Sequence, residues 1–205
     1  MEKVCKNWPA EAFDDKLVNA NYWDEFVENA KAASAEIYRV KDYAAAQEKV
    51  KELIQSFQAK EILAVGGDEN PALKSIYASI ASPDVAVYTD KFDIAAHRAS
   101  ADIGLSTAEF GVGETGSVCV DNYSYEARVT SMLPFVNIVF LNPAYMVKTV
   151  STAFEVISRV FKKGYMGFVT GPSRTADIER VLSLGVHGPN RFIIIAVDDF
   201  EGGKN

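Results

Sequence analysis

Two loops carry the side chains that could do chemistry. One reads Gly111-Val112-Gly113-Glu114-Thr115-Gly116-Ser117. Glycines let backbone amides come close to a ligand and adopt positive φ. Thr115 and Ser117 add hydroxyl donors, and Glu114 is the one ionisable group, able to act as general base, general acid or nucleophile. The other loop reads Gly171-Pro172-Ser173-Arg174-Thr175-Ala176-Asp177. A helix is expected to open at Ser173, with Ser173 or Thr175 capping its unpaired amides. That helix end and the full charge of Arg174 would together suit a carboxylate or phosphate. His187, in Gly185-Val186-His187-Gly188-Pro189, could reach the same ligand as a hydrogen-bond donor or proton carrier.

Each candidate also has a plainer reading. Glu114 could be a solvated turn carboxylate. Arg174 could pair with Asp177 in a well-capped helix, and His187 could be a structural loop residue. Arg128 could face the glycine loop. Asp102, Asp198, Asp199 and His97 are weaker candidates. The glycine loop satisfies G-x-G-x-x-G, but a dinucleotide site needs a helix opening within the motif. Here Ser117-Val118-Cys119-Val120 follows, β-branched and strand-like, so a tight turn between two extended segments is expected.

The elements that position these loops alternate. Trp23, Phe26, Val27, Ala30, Ala33 and Ile37 recur at helical spacing, which predicts a helix over 21–39. A second helix is expected after Asp42 as N-cap, burying Ala46, Val50, Leu53, Ile54 and Phe57. Residues 1–59 thus read as an N-terminal helical arm, packing on its own domain or on a second subunit as a homo-oligomer. Residues 60–205 read as one α/β domain. Apolar runs at Ile62–Val65, Val85–Tyr88, Ile138–Leu141, Gly167–Thr170 and Phe192–Val197 predict strands. Helices are expected over Asp68–Ile80, opened by Pro71, then Phe92–Ala101, Lys148–Phe161 and Ser173–Leu184. Short, continuous apolar strands belong to a sheet covered on both faces. The fold class is therefore α/β, three layers with a mostly parallel sheet, and such sheets bind ligands at the carboxyl ends of their strands.

Composition narrows the function classes. The chain has 205 residues and a formal net charge of −7, which disfavours a general grip on nucleic acid or an anionic membrane. Only two cysteines and two histidines occur, without CxxC or ligand spacing, so neither metal nor iron–sulfur cluster is expected on this chain. No signal-like segment and no run of roughly 18 apolar residues is present, which predicts a cytoplasmic protein.

Three motifs stand in order: Ala108-Glu109-Phe110-Gly111-Val112-Gly113-Glu114-Thr115-Gly116-Ser117, Ser131-Met132-Leu133-Pro134, and Thr170 to Glu179 with Leu184 to Pro189. Together they resemble the lactate utilization protein C family, the LUD-domain proteins, over roughly residues 60 to 198. The resemblance implies a fold similar to the sugar-phosphate isomerase and coenzyme A transferase superfamily. It also implies work beside iron–sulfur partner proteins in oxidising L-lactate to pyruvate, with a small anionic ligand on this chain. The family's loop residues carry over onto Glu114, Thr115, Gly116, Arg174, Thr175, Asp177 and His187. Gly113 stands where the family more often has alanine. Two alternatives stay open: a stand-alone enzyme of transferase or isomerase type using Glu114, and a ligand-sensing module without catalysis.

Overall fold

The structure, a computed structural model, describes residues 2–3, 8, 17–172, 174–175, 183–184 and 187–200. Its centre is a parallel sheet. The strands are β1 (Glu2–Lys3), β2 (Glu36–Val40), β3 (Glu61–Ala64), β4 (Ala86–Tyr88), β5 (Ile103–Val112) and β6 (Ser117–Asp121). They continue with β7 (Val136–Leu141), β8 (Met146–Val147), β9 (Phe161–Lys163), β10 (Met166–Val169), β11 (Arg174–Thr175), β12 (Ser183–Leu184) and β13 (Arg191–Val197). Parallel neighbours run β4-β3-β5-β7-β13-β2. The strands at its centre are apolar but for Asn137: every residue of β7, and Phe192 to Val197 of β13, is buried. Covering both faces is what removes the polar alternation.

The helices are α1 (Trp23–Ala32), α2 (Tyr43–Phe57), α3 (Pro71–Ile80), α4 (Lys91–His97), α5 (Tyr125–Met132) and α6 (Val150–Val160). On one face, Val50 and Leu53 of α2 and Leu73 and Ile76 of α3 pack on Ile103, Ile138 and Ile193. On the other, Phe26 and Ala30 of α1 pack on Val139, Leu141 and Ile194. Ile94 of α4 and Val129 of α5 cover Leu63 on that same second face. The three-layer α/β/α expectation holds. So do the Asp42 cap, which accepts from the Ala45 amide at 2.8 Å, and Pro71 in the first turn of α3. The Ala45 amide holds the Asp42 carboxyl below its ordinary range.

The structure corrects two helices. The one expected over 21–39 stops at Ala32, and Ser34, with φ of 70°, turns the chain into β2. Ala35 and Ile37 then face the α1 side while Tyr38 and Val40 face α2. The period is two there, and Ile37 met the helical spacing by coincidence. The expected boundary at residue 60 therefore has β2 on its N-terminal side, hydrogen-bonded to β13. The second correction lies at 173–184. Arg174–Thr175 and Ser183–Leu184, expected as helix, are extended and pair antiparallel; Ser173 and residues 176–182 lie outside the described residues. Sequence periodicity also missed α5, whose cap is Ser124 accepting from Ala127 at 3.1 Å.

The first residues do not all stand apart from the core. Trp8 is buried against Phe110, Tyr145 and Phe161. Lys3 of β1, which pairs with β9, reaches the sheet's interior edge at Glu109.

Candidate functional site

The glycine loop is a tight turn between two extended segments, as expected. Strand β5 ends at Val112, Gly113–Thr115 form one 3-10 turn, and β6 starts at Ser117. Gly116 has φ of 64°, and a Cβ there would fall 2.0 Å from the Ala30 nitrogen. Asn29 donates through Nδ2 to the carbonyls of Gly113, at 2.8 Å, and Glu114, at 3.2 Å. The loop is thus seated against the last turns of α1. The Glu114 carboxylate accepts from the Val150 amide at 3.0 Å, capping the start of α6. Thr115 keeps a buried hydroxyl without a partner among the described residues.

The second loop reaches the same corner. Strands β6 and β10 are antiparallel neighbours, and the hydroxyls of Ser117 and Thr170 meet at 2.8 Å. Gly171 follows, and its missing Cβ leaves room for the Ala33 carbonyl, which would lie 2.2 Å away. Arg174 and Thr175 belong to β11, where the first turn of a helix was expected. Ser173 and Asp177 lie outside the described residues. His187 is exposed, and the neighbouring Gly188 lies beside the Met132 carbonyl at the end of α5. No hydrogen bond or ion pair joins His187 to Glu114 among the described residues.

The weaker candidates have structural employment. Arg128 donates to the carbonyls of Asn122 and Tyr123, both at 2.8 Å, bracing the turn into α5. Asp102 accepts from the Lys60 and Glu61 amides. Asp198 pairs with Arg39 at 2.8 Å, and His97 stacks on Tyr88.

A cleft of about 720 Å³ opens elsewhere, at the carboxyl ends of the strands. Among the parallel strands, β3 is followed in the chain by β4 on its outer side, whereas β5 is followed by β7 on its inner side. The chain reverses direction between β3 and β5, which is where open α/β sheets form a crevice. Val65, Gly66 and Gly67 come from the end of β3, and Thr89 and Asp90 follow β4. Ser106, Thr107 and Glu109 come from β5; Asp121 to Ser124, Glu126 and Ser131 come from β6 and α5. Gly66 has φ of 88° and lies against the Thr107 side chain, 3.3 Å from where a Cβ would sit.

Glu109 is the singular residue of this cleft. Strand β5 pairs with β7 up to Thr107 and with β6 beyond it, and the register slips between Ala108 and Phe110. Glu109 is the extra residue of that bulge, a device that re-aims a side chain. Its side chain is 15% exposed and meets Lys3 Nζ at 2.7 Å. Burial raises the Glu109 carboxyl above its usual range, the Lys3 ammonium opposes the rise, and Glu69 and Asp121 add to it. Such a group can exchange a proton or accept a donor from a ligand. In the sequence Glu109 stands out only as part of the motif Ala108 to Ser117. The signal available was Gly66-Gly67 directly after an apolar strand.

Comparison with known proteins places this architecture. The model of the LUD domain matches residues 23–197. The chain belongs to the LUD domain family. Among curated relatives, Lactate utilization protein C 1 of Bacillus mycoides is 35% identical over 105 residues, 49% of this chain and 45% of that protein. Lactate utilization protein C of Anoxybacillus flavithermus is 31% identical over 99 residues, 48% of this chain and 45% of that protein. The matched part of this LUD-domain chain spans less than half the length of these relatives. A crystal structure of a DUF162 family protein from Deinococcus radiodurans shares the fold, with TM-score 0.58 and 19% identity over 87% of this chain and 97% of that one. Among the described residues, no helix is long and apolar enough to cross a membrane.

Proposed function

We propose that this LUD-domain chain serves L-lactate utilization as a ligand-binding component. Oxidation to pyruvate is assigned to iron–sulfur proteins working beside it. The names of the relatives support the pathway. The observation that carries the ligand-binding part is the crevice at the β3–β5 reversal, built from strand ends and holding the bulged Glu109. A site at this position is defined by topology, so it does not depend on any one loop sequence. The small anionic ligand expected from the sequence is assigned to the other corner, beside Gly171, where Ser117 meets Thr170.

The test is genetic and biochemical together. Deleting the gene abolishes growth on L-lactate while growth on pyruvate continues, and the tagged chain co-purifies with iron–sulfur proteins. Undiminished growth on L-lactate after deletion overturns the proposal.

A further inference from the structure

The charge of the cleft points to its ligand. Asp68, Glu69, Asp90, Glu109, Asp121 and Glu126 line it, against the single ammonium of Lys74. Lys74 is already 3.8 Å from Asp68, and Lys3 sits on Glu109. Glu69, Asp90 and Glu126 have no ammonium or guanidinium partner among the described residues. Carboxylates sharing a cleft repel one another, and the crowding shows at Glu109, whose proton is held more tightly because of Glu69 and Asp121 as well as burial.

A second observation is independent of charge. Ser106 lines the same cleft at 5% exposure, and its hydroxyl has no partner among the described residues. Buried hydroxyls are nearly always satisfied, so the Ser106 hydroxyl is open to a polar group of a ligand in the cleft. Among the described residues, no three carboxylate, thiol or imidazole groups converge closely enough to hold a metal ion. The acidic side chains come instead from the segments after β3 and β4, the bulge of β5, the end of β6 and α5, an arrangement that suits an extended organic molecule. The chain itself shows the chemistry, since the Lys3 ammonium meets the Glu109 carboxylate at 2.7 Å.

We infer that the cleft binds an organic cation, a small molecule with ammonium groups, between Glu69, Glu109 and Glu126, with Ser106 on its floor. The inference rests on the proposal that the crevice is a ligand site. An ammonium group supplies N–H donors to carboxylates in charge-assisted hydrogen bonds. A free carboxylate meets the wrong sign of charge there.

Isothermal titration of the full chain tests this with putrescine and spermidine as cationic probes and L-lactate and acetate as anionic ones. The diamine and triamine bind, and added salt weakens them. The Glu69→Gln/Glu126→Gln double variant weakens them at least about tenfold, the scale of one lost charged hydrogen bond. The Asp84→Asn control leaves binding unchanged, and an unaltered melting temperature shows that the double variant is folded. Equal amine binding by wild type and double variant means general attraction to an acidic surface and overturns the inference. L-lactate binding that Ser106→Ala weakens overturns the charge assignment but keeps the crevice as a ligand site. Absence of heat with all four probes overturns the inference, and the growth test then decides the pathway role separately.

Discussion

Gly116 and Gly66 both hold left-handed backbone, yet they sit in regions built for different purposes. Around Gly116 the three nearest atoms to a Cβ are all backbone of α1: the Ala30 nitrogen and Cα and the Asn29 carbonyl carbon. Around Gly66 the neighbour is one side chain, Thr107, and the space beyond is the cleft. The first glycine lets a helix touch a turn. The second lets a strand end open into a crevice. A glycine-rich loop can therefore mark close protein packing as readily as close ligand approach, and only the neighbour's identity separates the two.

The contrast can be broken by substitution. Gly116→Ala drives a Cβ into rigid backbone and should lower unfolding free energy by about 3 kcal/mol or more in urea titration, the range of severe overpacking plus backbone strain. An effect below about 1 kcal/mol, typical of an unstrained surface site, would show that the α1 contact is loose. Gly66→Ala should cost about 1–2 kcal/mol, because the threonine can shift and the left-handed backbone is the main penalty. Its ligand response in the cleft should fall more than its stability.

Glu114→Ala removes the acceptor for the Val150 amide and should cost about 1 kcal/mol, the usual worth of a helix cap. Glu114→Gln keeps an acceptor oxygen and should recover most of that. If Glu114→Gln instead abolishes a turnover while thermal stability is unchanged, the glycine corner is catalytic and the comparison above inverts.

The smallest effect concerns pH. Folding raises the Glu109 carboxyl above its ordinary value, chiefly through burial. A raised carboxyl contributes stability that is complete below the unfolded value, about 4.3, and is lost as pH rises through the higher folded value. Wild type should therefore lose melting temperature relative to Glu109→Gln as pH rises above about 4.3. A gap that moves the other way means that the Lys3 pair outweighs burial.

Much of the fold was readable in advance because its signals are local. Asp42 and Pro71 mark helix starts through their own backbone chemistry, and the runs at Ile62 and Ile138 mark strands covered on both faces. The misreadings share a cause. Ile37 fits a helical period and a strand period equally, and Ser34 reversing the chain decided between them. Arg174 follows a Gly-Pro turn that suits a helix start, yet β12 supplies its backbone partners. Both outcomes depend on pairing with another strand, β13 for β2 and β12 for β11, to which local propensity is blind.

The candidate site divides along the same line. The sequence by itself determined the α/β alternation, the glycine turn ending in Ser117 and the acidic balance of the chain, since each follows from residue type and spacing. The tertiary structure alone decided that Ser117 meets Thr170, that Glu114 caps α6, and that Glu109 is the bulged residue beside Lys3. Strand order is set by long-range pairing, and the crevice lies where that order reverses between β3 and β5. No local stretch of chain encodes the reversal, because it is a property of which strands become neighbours.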